Sequence, residues 1–502
     1  MTDPARAPTL SGGRPSTARL DSPGLGATLL VLLVVVLAVF AGISGILIRP
    51  WSPPPTGPNP SSLPIRHVVI VMMENRAFDN LFGSYCPTAG PGCPTAVNGF
   101  PPHTCVPYAP TDPSLGCIRP YPVASDTVST PDISHEWNST HQAIDGGAMD
   151  GFYYAEQGSL IPFGYYNATT IPLYYDLAQE YGLGESFFSS ALSYSLPNHW
   201  YLLAGQAPRL SVNVSTLQTA YEKETYLSEA NGTRTVQDLL NATPSVSWKY
   251  YDWILANYSR AIAGHPGASD GSAYDYWNPL AARAESYSSW YASHFVARSQ
   301  FFPDASSGQL PNISYVIPSL AFSDHAPAVL ANGQAFVASI VDAVEASPEW
   351  NSTAVFISWD DYGGFFDHVA PPMIDALGLS FRVPLLVVSP YTPKGVVVNT
   401  LGYFDSLLHF VEWRFGLGCL TVRDCHAPLP LDYFDFRLAP RAPMLFPTSA
   451  VNASYPMSPL ADGGGVVALS VGDGTGCSIF CVNPRSWDIG PAPPDTPVDV
   501  LD

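Results

Sequence analysis

Two apolar runs in this sequence end in residues that can hold a cation. His67-Val-Val-Ile-Val-Met-Met73 delivers Glu74 and Asn75, and Ala354-Val-Phe-Ile-Ser-Trp359 delivers Asp360 and Asp361. Three carboxylates and an amide oxygen brought to one place repel one another strongly unless a cation sits among them. Taken singly, each pair also reads as a helix cap or turn former. Ser195, in Ser193-Tyr-Ser-Leu-Pro-Asn-His199, stands just ahead of the apolar helical run Trp200–Ala204, with Pro197 in the first turn. There a hydroxyl faces free N–H groups and the positive end of the helix dipole, which suits an alkoxide or a phosphoryl group. It also fits an ordinary N-cap. His135, His325 in Ser-Asp-His-Ala-Pro and His368 in Gly-Gly-Phe-Phe-Asp-His-Val add groups that exchange protons near neutral pH. His67, His103, His265, His294, His409 and His426 read as surface or core residues. Phosphoryl transfer needs a nucleophile, a cation to gather negative charge, and donors for the oxygens and the leaving group, and this set contains all three.

The elements that must position these groups alternate short apolar runs with amphipathic segments, the pattern of an α/β fold with a mainly parallel sheet between helices. His67–Met72, Ala354–Ser358 and Val383–Val388 read as buried strands. Ligands of open α/β sheets bind beyond the carboxyl ends of the strands, so both acidic pairs are expected on one edge of the molecule. A helix over Gly333–Ala346 places Phe336, Val337, Ile340, Val341 and Val344 on one face. Pro172–Tyr181 reads as a second helix closed by Gly182, and Asp405 as the cap of a third that runs to Phe415 and stops at Gly416. The Tyr/Ser/Ala-rich stretch of about 213–299 has weak periodicity and reads as an inserted cap over the core.

The 502 residues carry 42 Asp plus Glu against 21 Lys plus Arg, a net charge of −21, with only 13 % charged residues. That charged fraction excludes a disordered polyelectrolyte, and the acidic balance without a Lys/Arg stripe excludes a nucleic-acid binder. Residues 1–23 read as a disordered cytoplasmic tail. Residues 24–48 contain LGATLLVLLVVVLAVFAGISGILI without a charge, long enough to cross a bilayer as a transmembrane signal anchor. Arg6, Arg14 and Arg19 precede this run and only Arg49 directly follows it, which puts the N-terminus in the cytoplasm and the body outside. A cleaved signal peptide is the competing reading, although its apolar region ordinarily stops after about 7–15 residues. Residues 49–64 form a Pro-rich linker, 65–446 the catalytic domain and 447–502 a Gly/Pro-rich appendage. Asn-x-Ser/Thr sequons at Asn138, Asn167, Asn213, Asn231, Asn241, Asn257, Asn312, Asn351 and Asn452 fit an extracellular glycoprotein. So do the eight cysteines, which fall in four sequence-local pairs: Cys86/Cys93, Cys105/Cys117, Cys419/Cys425 and Cys477/Cys481.

Six motifs, in order from about Ile65 to Phe436, resemble the bacterial and archaeal phosphoesterase family of phospholipases C and acid phosphatases. They are Val-Met-Met-Glu-Asn-Arg-Ala-Phe-Asp-Asn-Leu-Phe-Gly (71–83), Gly-Gly-Ala-Met-Asp-Gly-Phe (146–152), Ser-Leu-Pro-Asn-His (195–199), Ser-Asp-His-Ala-Pro (323–327), Trp-Asp-Asp-Tyr-Gly-Gly-Phe-Phe-Asp-His-Val-Ala-Pro-Pro (359–372) and Arg-Val-Pro-Leu-Leu-Val-Val-Ser-Pro-Tyr (382–391). The resemblance implies an alkaline-phosphatase-like core with one divalent metal ion of unknown identity held by Glu74, Asn75, Asp360 and Asp361. It also implies that Ser195 is a nucleophile passing through a phosphoserine, and that His135 and His325 bind phosphoryl oxygens or protonate the leaving group, with His368 nearby. The sequence departs from the family in places. Many phospholipase-type members have Thr where Ser195 stands and Arg where His199 stands, and Asp360-Asp361 is the phosphatase-like form of the pair. Trp277-Asn-Pro replaces a frequent His-Asn-Pro.

The expectation is therefore a membrane-anchored, extracytoplasmic, metal-dependent phosphoesterase acting on phospholipid head-group diesters or soluble phosphate esters. The rival expectation is a noncatalytic surface glycoprotein or adhesin that keeps the fold. Oligomeric state is not legible in the sequence.

Overall fold

The structure is a computed structural model that describes residues 59–446 except 87, 91–92, 94, 209–231, 253–276 and 283–292. The tail, anchor and most of the linker lie outside the described residues, as do the appendage with Cys477 and Cys481 and the sequons at Asn213, Asn231, Asn257 and Asn452. Among the described residues no helix is long and apolar enough to cross a membrane.

A single sheet organises the molecule. Its strands are β1 (His67–Met73), β2 (Gly182–Gly184), β3 (Trp248–Asp252), β4 (Phe295–Ala297), β5 (Ile313–Val316), β6 (Thr353–Trp359), β7 (Leu385–Val388) and β8 (Val396–Val398). They lie in the order β8-β2-β7-β6-β1-β5-β3-β4. Only β7 runs against its neighbours β6 and β2; the other pairings are parallel. β1 and β6 are apolar along nearly their whole length because both faces of a mainly parallel sheet are covered, and every residue from Val68 to Met73 and from Thr353 to Trp359 is buried.

Six helices matter to the site and its support: α1 (Phe78–Phe82), α2 (Trp137–Ile144), α3 (Pro172–Glu180), α4 (Ser195–Ala204), α5 (Leu330–Glu345) and α6 (Phe404–Phe415). In α5, Phe336, Val337, Ile340, Val341 and Val344 are completely buried, as their helical spacing requires. The connection β5–α5–β6 is a crossover whose two strands flank β1 on either side. Gly416 ends α6 in the left-handed conformation at φ 67°, but the N-cap is Tyr403, and Asp405 lies within the first turn. Gly182 does not close α3. It opens β2, where an added Cβ would come within 3.0 Å of the Tyr433 ring.

The stretch expected as a cap does something else where it is described. Trp248–Asp252 and Phe295–Ala297 are β3 and β4, the far edge of the central sheet. Three disulfides, Cys86–Cys93, Cys105–Cys117 and Cys419–Cys425, close the local loops that their spacing suggested.

Candidate active site

The register of β1 against β6 builds the centre of the site. Met73 pairs with Trp359, so the next residues of both strands, Glu74-Asn75 and Asp360-Asp361, leave the sheet side by side at its carboxyl edge. Backbone bonds hold both exits, with Glu74 N–H donating to Ser323 O at 2.8 Å and Asp360 N–H to Met73 O at 2.9 Å. Asn75 adopts φ 58°, a left-handed conformation that Asn tolerates better than most residues. Its N–H donates to Asp360 Oδ1 at 2.9 Å. Gly363 lies against this turn; a Cβ there would stand 2.4 Å from Asn75 O. Asp361 Oδ1 accepts from Gly363 N–H at 2.7 Å, which leaves Oδ2 facing Ser195.

Ser195 is the first residue of α4, after Tyr194 as N-cap, so the N-cap role that its local sequence allowed falls to its neighbour. Its Oγ is 3.5 Å from Asn75 Oδ1 and 3.5 Å from Asp361 Oδ2, and the residue is fully buried. Asn198 holds the turn before it, accepting from Ala191 N–H at 2.8 Å and donating to Ser193 O and Tyr194 O.

Two histidines enter from separate loops. His135 Nδ1–H donates to Ile133 O at 2.6 Å, which leaves the Nε2 lone pair to accept from Asn75 Nδ2 at 3.2 Å. The same Nε2 is 4.0 Å from Asp361 Oδ2. His325 Nδ1–H donates to Ala326 O at 2.5 Å, and its buried Nε2 has no hydrogen-bond partner. The His135 and His325 rings stand edge to face with centroids 6.3 Å apart, and Trp277 packs on His325 at 5.6 Å.

The third histidine of the centre was not singled out by the sequence. His199 sits one turn after Ser195 on α4, and its Nε2 lies 3.0 Å from Glu74 Oε1 and 3.7 Å from Asp360 Oδ2. The i, i+4 spacing that puts both side chains on one helix face was the available signal. Burial pushes the His199 imidazole down to about 4, with Asp360 opposing, so the ring is neutral at pH 7.

His368 belongs elsewhere. Its Nδ1–H donates to Asp79 Oδ2 at 2.6 Å in a network with Arg382, which donates to Asp367 Oδ1 at 3.0 Å and Asp79 Oδ1 at 3.1 Å. Arg382 also donates to Asn98 O and Glu185 O. Gly363 and Gly364, both at positive φ, turn the chain between Asp361 and this network. The arrangement fits a support for the site wall rather than a group that meets substrate.

The acidic centre is suited to a divalent cation. Glu74, Asp360 and Asp361 are fully buried, and Glu74 Oε2 and Asp360 Oδ2 have no hydrogen-bond partner. Burial first, and then the neighbouring Asp360 charge, push the Glu74 carboxyl well above its ordinary range. Among the described residues Glu74 and Asp360 face the neutral His199 ring rather than a guanidinium or an ammonium, so a bound cation is what would let both ionise.

With this geometry in place, the comparisons decide the kinship. A model of the Phosphoesterase family matches residues 65–418. The chain belongs to that family. Its relatives in the Phosphoesterase family include phospholipase C B of Mycobacterium tuberculosis, 30 % identical over 72 % of this chain and 75 % of that protein. Non-hemolytic phospholipase C of Burkholderia pseudomallei is 28 % identical over 70 % of this chain and 55 % of its own length. Non-specific phospholipase C6 of Arabidopsis thaliana is 25 % identical over 67 % and 64 %. Among solved structures, a protein in the alkaline phosphatase superfamily from Vibrio parahaemolyticus matches 52 % of this chain and 65 % of its own at 14 % identity, with a TM-score of 0.31. The expectation of a phosphoric ester hydrolase stands with membership of the Phosphoesterase family.

Proposed function

We propose that the chain is a metal-dependent phosphoesterase that works through Ser195 and takes phospholipid head-group diesters. The observation that carries the chemistry is the Ser195 hydroxyl, buried at the first position of α4 and within 3.5 Å of both Asn75 Oδ1 and Asp361 Oδ2. Glu74, Asn75, Asp360 and Asp361 are the residues that would hold the cation, which when bound supplies positive charge to offset that of the phosphoryl oxygens.

The chain's own groups do the rest. Ser195 Oγ passes its proton to Asp361 Oδ2, 3.5 Å away, and attacks phosphorus; the Oγ–P bond forms as the P–O bond to the leaving alcohol breaks, and Asp361 returns the proton to Oγ when the phosphoserine is hydrolysed. The positive end of the α4 helix dipole, at whose first position Ser195 stands, favours the negatively charged phosphoryl oxygens. His325 carries its proton donor at Nε2 in the imidazolium form, where it protonates the leaving oxygen, while Asn75 orients His135 beside the same oxygens. Water then hydrolyses the phosphoserine, with the neutral imidazole as base.

The phospholipid assignment is supported by relatives named phospholipase C and by the apolar run within residues 24–48, which would keep the site at a bilayer. The same run and the three disulfides support an extracytoplasmic body on an anchor. Ser195→Ala beside wild type, assayed as full chains for phosphocholine release from phosphatidylcholine and for phosphomonoester turnover, tests the proposal. Head-group release that dominates and is lost in the variant supports it. Dominant monoester turnover makes the enzyme a phosphatase, and activity that survives in the variant removes Ser195 as the nucleophile.

A further inference from the structure

His199 is the one imidazole that faces the acidic centre from the same helix as the nucleophile. Its Nε2 is within reach of two carboxylates from different strands, Glu74 Oε1 at 3.0 Å and Asp360 Oδ2 at 3.7 Å. These two side chains and the imidazole present one donor atom each within 4.8 Å of one another, and all three residues are buried. Two donors bound cis to one metal, each at about 2.1 Å, stand about 3 Å apart, so the His199–Glu74 separation is that of neighbouring ligands. A hydrogen bond from Nε2–H to Glu74 alone does not account for the rest of the cluster. Glu74 Oε2 and Asp360 Oδ2 remain buried with no hydrogen-bond partner. Both oxygens are left for a cation at the point towards which Nε2 is also turned.

We propose that His199 is a nitrogen ligand of the divalent cation and that it selects first-row transition metals over Mg²⁺ and Ca²⁺. The inference rests on the metal-dependent reading above and deepens it. Carboxylate and amide oxygens alone suit hard cations, whereas an imidazole in the set raises affinity for Mn²⁺, Fe²⁺, Co²⁺ and Zn²⁺ and adds little for Ca²⁺.

The test uses the full chain in detergent, stripped of metal and titrated with Mn²⁺, Mg²⁺ and Ca²⁺, as wild type, His199→Gln and His135→Gln. Pulsed electron paramagnetic resonance of the Mn²⁺-loaded protein reads a directly bound imidazole through its nitrogen modulation. The modulation is expected in wild type and in His135→Gln and absent in His199→Gln. Mn²⁺ affinity in His199→Gln should fall at least about tenfold while Ca²⁺ affinity changes far less. Should His199→Gln fail to fold, ¹⁵N-histidine labelling of wild type, His135→Gln and His325→Gln still decides the matter, because coupling that changes isotope and persists in both variants comes from neither of those rings. Three results overturn the inference: no imidazole coupling in wild type, coupling that persists in His199→Gln, or equal losses of Mn²⁺ and Ca²⁺ affinity. Each leaves the metal-dependent reading standing. A wild-type protein that binds none of the three cations removes that reading as well.

Discussion

Asn75 and Asp360, 285 residues apart in the chain, are joined by a hydrogen bond from the Asn75 backbone N–H to Asp360 Oδ1 at 2.9 Å. Asn75 makes this bond in its left-handed conformation, in which the amide side chain has Oδ1 facing Ser195 and Nδ2 facing His135. One turn thus sets Asn75, Ser195 and His135 against one another.

Gly363→Ala tests that coupling. The new methyl would stand 2.4 Å from Asn75 O at a φ of 58°, so either Asn75 or the 361–364 turn must shift. Turnover should fall by about 10²-fold, since displacements of about 1 Å at reacting groups cost that much, while the unfolding midpoint moves only modestly. Steady-state kinetics beside thermal unfolding would check it.

His368 and Arg382 separate support from chemistry. His368→Ala should lower kcat less than about tenfold, below the range for loss of a general acid or base. Arg382→Ala should destabilise by about 3–5 kcal/mol because it strands the buried Asp79 and Asp367 carboxylates. Chemical denaturation and initial rates on the two variants give opposite patterns if the network is structural.

Removing the cation should cost stability as well as activity. Chelation leaves three buried carboxylates facing one another, so the unfolding temperature should drop and recover on adding back metal. Saturation at about one hundred times Kd restores about 2.7 kcal/mol by mass action. Differential scanning calorimetry with and without chelator measures it.

Glu412 on α6 provides a pH signature remote from the centre. Burial, with Asp424 next to it, pushes its carboxyl up to about 9, and neither oxygen has a hydrogen-bond partner. A raised carboxyl keeps its proton in the folded state while the unfolded chain has lost it. Its contribution to stability is therefore complete below about 4.5 and is lost as pH rises towards 9. Glu412→Gln carries no such proton. The variant should gain on the order of 1–3 kcal/mol over wild type between pH 5 and pH 8.5, read from unfolding curves at both values.

The sequence was legible where local chemistry and tertiary role coincide. Val68–Met73 and Ala354–Trp359 are apolar without interruption because both are central strands, and the polar residues after each could only emerge at the sheet's edge. Trp248-Lys-Tyr-Tyr-Asp252 is an outer strand whose Lys249 is half-buried and reaches Asp304, so its pattern carries no apolar run and a cap was the natural reading. Gly182 and Gly184 are glycines inside a strand because Tyr433 leaves no room for a Cβ at either, a reason invisible in their own residues. His368 was singled out by the Gly-Gly-Phe-Phe-Asp-His-Val motif, whose two positive-φ glycines bring its imidazole to Asp79 in the Arg382 network. His199 was overlooked because a helix face shows its purpose only when the facing strand ends are known.

The site draws on chain positions 74–75, 135, 195–199, 325 and 360–361, since β1 pairs with β5 and β6 rather than with strands close to it in sequence. A growing chain on the ribosome therefore holds Ser195 long before it holds Asp360 and Asp361. Ser195 has no acidic partner from β6 until residue 361 has been made. On the proposed reading the site stays incomplete through most of the chain's synthesis, and a message truncated before β6 yields a chain that lacks Asp360 and Asp361.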